Sequence, residues 1–347
     1  MKQNVNIKDI ARLSGVGIST VSRVLNDHTD VKKETREKVL QVIKEYNYIP
    51  NNSARNLKRS VSKNIGVLVK GIYNPFFSKV VRAIEEEIAR HDYSMILHYN
   101  SKDATNDSEV AIELIKEKKL TGLICLGGDF EDIDTKQIAA LETPMVLCST
   151  MVRYSGDENV FSSVNIDDAI AAELAVKEII CCGHRRIGMI RLREDDFSVC
   201  QYRMTGYKRA LDSCDIPYDP ELVEAGDYTF ETGYKAMQRL LDKQLDMTAV
   251  FVSTDLMAVG AARAAMERGI KVPEELSIVG FDGIEFAEYF MPSISTVMQP
   301  VEEMGIMSVE ILFDVLNNDG VHRQILFDTK FLHRESLRRV GGEACPK

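Results

Sequence analysis

Three hydroxyl side chains and an arginine share one short stretch near the start of the chain. In GVGISTVSRVLN, residues 15–26, helical spacing puts Val21, Val24 and Leu25 on one face and Ser19, Thr20, Ser22 and Arg23 on the other. Hydroxyls donate to phosphate oxygens, and an arginine can donate two bonds to the O6/N7 edge of guanine, so the outward set fits a DNA duplex. It equally fits the solvated face of a small helical bundle. Charge tips the choice towards DNA. Residues 1–60 hold twelve Lys/Arg and six Asp/Glu, a net of +6 that leaves −16 for the remainder of a chain whose formal charge is −10. Such asymmetry implies a basic head that meets a polyanion and an acidic body with another task.

Other candidate chemistry is thinner. NSARNLKR, residues 52–59, sets Ala54 and Leu57 among Arg55, Lys58 and Arg59. A lone Leu among cations suits a wedge that unstacks a base step in the minor groove, or a tether whose Leu packs on its neighbours. Phe76 and Phe77 follow an apolar run, where they stack on a ligand or fill a core. Ser60-Val61-Ser62-Lys63 fits S-x-x-K, but it sits in a linker and the companion SDN and KTG motifs are missing. No GxSxG, HExxH or GxxxxGK[ST] occurs, and the six histidines lack ligand spacing. His184, after Gly183, reads as part of a helix C-terminal cap. The seven cysteines are odd in number and form no CxxC, so reduced thiols are expected, with Cys181-Cys182 as helix packing. No catalysis, cofactor or metal is expected.

The elements that must position these residues follow from periodicity. Ile7, Ile10, Ala11 and Leu13 mark a first helix with Asn6 as N-cap, Gly15-Val16-Gly17 breaks it, and Ile18 to Leu25 form a second. TREKVLQVIKEYN, with Val39, Leu40, Ile43 and Tyr46, forms a third that ends by Pro50. Two short helices on a glycine turn, braced by a third, make a helix-turn-helix. Beyond them, apolar runs such as IGVLV, TGLICLG, AVFVS and LSIVGF alternate with helical segments, the pattern of parallel, doubly wound sheets. So long a stretch suits two similar lobes, with ligands at the carboxyl ends of the strands between them. No apolar run reaches membrane-spanning length and Met1 to Asn6 lack a signal-peptide core, so a cytoplasmic protein is expected.

Read in order, IKDIARLSGVGISTVSRVLN, TREKV, NYIPN, NIGVLV, NPFF, GHRRIG, STDLMAVGA, SIVGFDG, STVMQP and HRESLRR make the chain resemble the LacI/GalR family of bacterial repressors over nearly its whole length. The resemblance implies an all-α helix-turn-helix head over residues 1–49 and a hinge helix and linker over 50–61. It implies a periplasmic-binding-protein-like α/β body over 62–347, with an N-lobe of 62–163 and 293–325 and a C-lobe of 164–292 and 326–340. It implies a homodimer on a near-palindromic DNA operator, contacted by Ile18, Ser19, Thr20, Ser22, Arg23 and Asn26 and by Ala54, Leu57 and Lys58 of the hinge. A small effector, a sugar or sugar derivative, would sit between the lobes against Phe76, Phe77, Arg203, Tyr228, Asp255, Asp282 and Gln299.

Three departures stand out. Gly17 replaces a serine that caps the recognition helix, removing a phosphate contact. Asp255 follows Thr254 where the family more often has Asn-Asp. IRLREDDFSVCQYR lacks the usual glycine loop, and its Arg191 and Arg193 either favour an anionic ligand or pair with Glu194 and Asp195. A protein corepressor of the catabolite-control kind is the alternative partner, although Glu310 and Asp314 stand where that branch has cations.

Overall fold

The computed structural model describes residues 5–25, 28, 30–46, 48, 63–71, 74–100, 107–128, 130, 134–150, 160–193, 197–318 and 320–341. The chain divides into two units, residues 1–62 and 63–347.

In the first unit, helix α1 (Ile7–Ser14) begins at a reciprocal cap. The Asn6 side chain accepts from the Lys8 and Asp9 amides, and the Asp9 carboxylate accepts from the Asn6 amide at 3.1 Å. Amides that a helix start leaves open are thereby satisfied. Gly15, at φ +65°, ends α1 in the left-handed conformation that glycine adopts without strain. Helices α2 (Ile18–Leu25) and α3 (Lys33–Glu45) follow. Ile10, Ala11, Val21, Val24 and Val39 form the core, with Leu25 and Ile43 packed at its margin. Leu13, Leu40 and Tyr46 keep helical spacing yet remain exposed, because three short helices enclose only one narrow apolar stripe each. The hinge expected over 50–61 lies outside the described residues.

The second unit contains two six-stranded sheets. The first run is β1 (Asn64–Lys70), α4 (Pro75–Arg90), β2 (Ser94–Asn100), α5 (Asp107–Lys118), β3 (Gly122–Leu126), α6 (Thr135–Ala139), β4 (Met145–Cys148) and β5 (Ser162–Ile166). The second is α7 (Asp168–Cys181), β6 (Ile187–Arg191), α8 (Phe197–Asp212), β7 (Val223–Ala225), α9 (Phe230–Asp242), β8 (Ala249–Val252), α10 (Asp255–Glu267), β9 (Ser277–Asp282), α11 (Glu285–Tyr289) and β10 (Ser295–Met298). The chain then returns through α12 (Val301–Asn318) and β11 (Gln324–Phe327) and ends its regular structure at β12 (Lys330–Leu332). The N-lobe sheet, in the order β11-β5-β4-β3-β1-β2, is parallel throughout. The C-lobe sheet, β12-β10-β9-β8-β6-β7, is parallel except where β12 runs against β10. Every residue of β3, β4, β5, β8 and β9 is buried. Strands buried on both faces need helices on both sides, and their continuous apolar runs reflect it.

Sheet membership shifts the lobe boundaries. The expected crossing at residue 163 falls inside β5, which pairs with β4 and β11 as far as Ile166. The one at 292 moves past β10, which belongs to the C-lobe sheet, and the one at 325 falls inside β11 of the N-lobe sheet. In each case a strand completes its ladder before the chain leaves. Helix α12 packs on α4 and across β3, β4 and β5, so it is part of the N-lobe.

His184 does not act as a cap. Its ring is buried, with Nδ1 2.9 Å from Thr248 Oγ1 and Nε2 3.1 Å from the Arg338 carbonyl. A carbonyl only accepts, so Nε2 carries the proton and Nδ1 accepts from the threonine. Beside it, the Val340 amide donates to the Cys182 carbonyl at 2.8 Å. These bonds fasten the segment after β12 to the C-lobe.

Candidate functional site

The head presents its candidate DNA contacts as a surface. Val21 and Val24 anchor α2 in the core, which turns Ile18, Ser19 and Arg23 out to solvent and leaves Thr20 and Ser22 half-buried at the flank. Ile18 is 46% exposed and suited to apolar contact with a thymine methyl. Gly17 has ordinary space around it: a Cβ there would meet Ser19 Oγ at 3.5 Å and nothing closer. The site therefore does not require glycine. Asn26, Ala54, Leu57 and Lys58 lie outside the described residues.

In the body, polar side chains gather at the carboxyl ends of both sheets. Strand order reverses at β1/β3 in the N-lobe and at β6/β8 in the C-lobe, which is where doubly wound sheets leave a crevice. In the C-lobe, Arg203 of α8 is the centre. Its Nε donates to Asp168 Oδ1 at 2.8 Å, one Nη1 proton goes to the Ser253 carbonyl, and Asp282 Oδ1 lies 3.8 Å from Nη1. The guanidinium stacks on the Phe281 ring at 3.7 Å. Arg203, Asp168 and Asp282 are 5–6% exposed. Burial alone would pull the arginine down, but Asp168 and Asp282 outweigh it and hold the guanidinium above its ordinary range. Burial pushes both carboxyls up, against the opposing pull of Arg203.

Asp282 ends β9 at φ 118°, a left-handed conformation that a side chain rarely adopts. Gln299, just past β10, holds it from two directions. Its Nε2 donates to Asp282 Oδ1 at 2.9 Å and its amide to the Asp282 carbonyl at 3.2 Å. Among the described residues, Asp282 Oδ2 and Arg203 Nη2 take no hydrogen bond, so each residue keeps a group for a ligand. Tyr228, at φ 49° after β7, packs on the C-lobe core, and its phenol lies within electrostatic reach of Arg203.

Asp255 and Phe76 take different places from those expected. Asp255 is wholly buried and occupied: Oδ2 accepts from the Gly283 and Ile284 amides at 2.8 and 2.9 Å, and Oδ1 from Thr296 Oγ1 at 2.7 Å. It offers a ligand little and instead fixes the turn that follows Asp282. Phe76 is a core residue of the N-lobe. Phe77 is half-buried against Gly127, where a Cβ would come within 2.8 Å of its ring.

Four participants escaped the sequence reading. Asp168 opens α7 directly after β5, and the Asp167-Asp168 pair between a strand and a helix was its only signal. In the N-lobe, Lys70 ends β1 and pairs with buried Asp107 at 3.1 Å, while Asn100, at the end of β2, donates to the same carboxylate. A lysine closing an apolar strand is the signal there. At β6, Arg191 donates to the Leu192 carbonyl at 3.1 Å and approaches Cys200 Sγ at 3.9 Å. Its suggested partners Glu194 and Asp195 lie outside the described residues. Glu310 and Asp314 stand exposed on α12, the latter paired with Arg323.

A helix-turn-helix unit joined to a two-lobed body of parallel sheets, with a charged cluster at the strand ends, defines a DNA-binding regulator of transcription. Two family models agree: bacterial regulatory proteins of the lacI family match residues 6–51, and a periplasmic binding protein-like domain matches residues 176–337. The HTH-type transcriptional regulator MalR of Clostridium butyricum is 46% identical over 342 residues, 97% of this chain and 100% of that protein. The lac repressor dimer bound to operator and the anti-inducer ONPF aligns with a TM-score of 0.79 at 26% identity, covering 97% of this chain and 100% of that one. The complex of the regulator CelR with cellobiose aligns at 0.71 and 28% identity, covering 96% and 99%. The chain belongs to the lacI family of bacterial transcriptional regulators. Among the described residues no helix is long and apolar enough to cross a membrane.

Proposed function

We propose that the protein represses transcription in the cytoplasm as a homodimer on a near-palindromic operator, and that a neutral, sugar-like effector between the lobes sets its affinity. On this reading residues 1–49 bind DNA, a hinge occupies 50–61, and the remaining chain senses the effector and dimerises. The observation that carries it is the Asp168–Arg203–Asp282 cluster with Gln299. Two buried acids around one guanidinium, with an acceptor on Asp282 and a donor on Arg203 not engaged among the described residues, suit a hydroxyl that both gives and takes a hydrogen bond. The similarity to a regulator crystallised with cellobiose supports the same class of ligand.

Charge favours a neutral sugar over its phosphate on this reading. Lys70 is matched by Asp107, Arg203 is outnumbered by Asp168 and Asp282, and Arg191 is engaged with its own neighbours. Among the described residues, Lys70 and Arg203 are each already paired with a carboxyl group, which favours a neutral hydroxyl over a phosphate there. A phosphoprotein corepressor would meet Glu302, Glu303, Glu310 and Asp314, all exposed on α12.

The test uses operator DNA recovered by selection from a randomised duplex library. Neutral mono- and disaccharides and their phosphates are screened for an effect on operator affinity. A neutral sugar should shift it by about 1–3 kcal/mol, the usual coupling between sites. Asp282→Ala should bind the operator normally and ignore the sugar. A variant that responds at the wild-type concentration places the effector elsewhere.

A further inference from the structure

Arg23 does not stand alone on the outer face of α2. Its Nη1 donates to Asp30 Oδ2 at 2.9 Å, across the turn that leads into α3. That turn is fastened on both sides: the His28 amide donates to the Arg23 carbonyl at 3.0 Å, and Arg36 donates to the His28 carbonyl. Both partners of the ion pair are more than half exposed. An exposed pair of this kind adds little to stability, so folding does not explain an acid on a surface meant for a polyanion.

The pair has a use in recognition. A guanidinium carries five N–H donors in one plane. With one committed to Asp30, the plane is fixed and the remaining donors still suffice for the two acceptors of a guanine edge. An oriented side chain loses less rotamer freedom on binding. A phosphate oxygen needs only positive charge, which Asp30 cancels locally while adding repulsion of its own. The carboxylate thus favours an oriented contact with a base over a loose contact with the backbone.

We propose that Asp30 is a specificity-determining residue, which aims Arg23 at a base edge and withholds it from phosphates. The inference rests on Arg23 reading a base. Full-length wild type, Arg23→Ala, Asp30→Ala and Asp30→Asn would each select from a library of duplexes with a randomised centre, and the enriched sequences would be compared column by column. Arg23→Ala identifies the column that depends on Arg23. Asp30→Ala should flatten that same column, reducing its base preference on the order of tenfold. It should also retain more unselected DNA, with a salt dependence steeper by about one phosphate. Asp30→Asn, which keeps an acceptor without the charge, should fall between. If Arg23→Ala flattens no column, the reading of Arg23 fails and the proposal with it. If Arg23→Ala flattens a column that Asp30→Ala leaves sharp, or if Asp30→Ala recovers no DNA, Asp30 has no part in specificity.

Discussion

Asp255 shows how one buried carboxylate can fix the turn beside a candidate site. It receives two backbone amides and one hydroxyl, and the amides belong to the two residues after strained Asp282. Asp255→Ala should leave the buried Ile284 amide unpaired, at about 1–3 kcal/mol, and the half-buried Gly283 amide at less. Asp255→Asn should be mild, since the amide oxygen can take both N–H groups while Thr296 reverses its hydroxyl to accept. Burial raises the Asp255 carboxyl above its ordinary value despite these donors. Its neutral form is therefore favoured by folding, and the stability it contributes is present below about pH 4 and lost as pH rises through the raised value. Asparagine is fixed in the neutral state, so thermal melts should show the variant gaining on wild type from pH 5 to pH 8. At Gly17 a Cβ meets only ordinary contacts, which predicts a gain: Gly17→Ser should cap α2 for a few tenths of a kcal/mol and add a phosphate contact, tightening operator and random DNA alike in filter binding. Residue roles were unevenly legible in the sequence. Arg203 and Asp282 could be placed by their motifs, but Asp168 meets Arg203 across 35 positions and Lys70 meets Asp107 across 37. The structural part of Asp255 was not legible because its partners are mostly backbone amides, which every residue but proline possesses.

At the scale of elements, periodicity carried most of the information. The 3.6-residue rhythm of the head and the short apolar runs of the body correspond to real helices and buried parallel strands, since both patterns record which faces meet a core. What periodicity could not supply was attachment after the last strand. The segment through Val340 is held by His184 and by the Val340–Cys182 bond. Gly183 makes this close approach possible: it sits at φ +94°, and a Cβ would lie 2.3 Å from the Val340 carbonyl oxygen. Gly183→Ala should displace the segment and lower the melting temperature of the body, with hydrogen exchange fastest at residues 336–340. Burial lowers the pKa of His184, the hydrogen bond to the Arg338 carbonyl opposes, and the Arg338 charge adds to the lowering. A depressed histidine contributes stability that is present above its ordinary value near 6.5 and lost as pH falls through the folded value. The same amides should therefore lose protection at pH 5 relative to pH 7.5, after correction for intrinsic exchange. His184→Gln should remove most of that difference.

Over the whole molecule, charge and chain path set the behaviour. The basic residues 1–60 and the acidic remainder predict strongly salt-dependent DNA binding. A complex that neutralises six or more phosphates should give a log–log salt slope steeper than about −5, measured by titration between low and physiological salt. A slope near zero would remove the electrostatic basis for reading the head as a DNA reader. The chain path acts earlier, during synthesis. Strand β5 is made long before its outer partner β11, because residues 167–323 lie between them. At bacterial elongation rates that interval is roughly 8–30 s. Throughout it the nascent N-lobe has an open edge at β5, with backbone donors and acceptors free to pair with any other extended chain. The β5 edge is covered only when Gln324–Phe327 emerge, so the time for which β5 stays open is set by how fast the ribosome completes the other lobe.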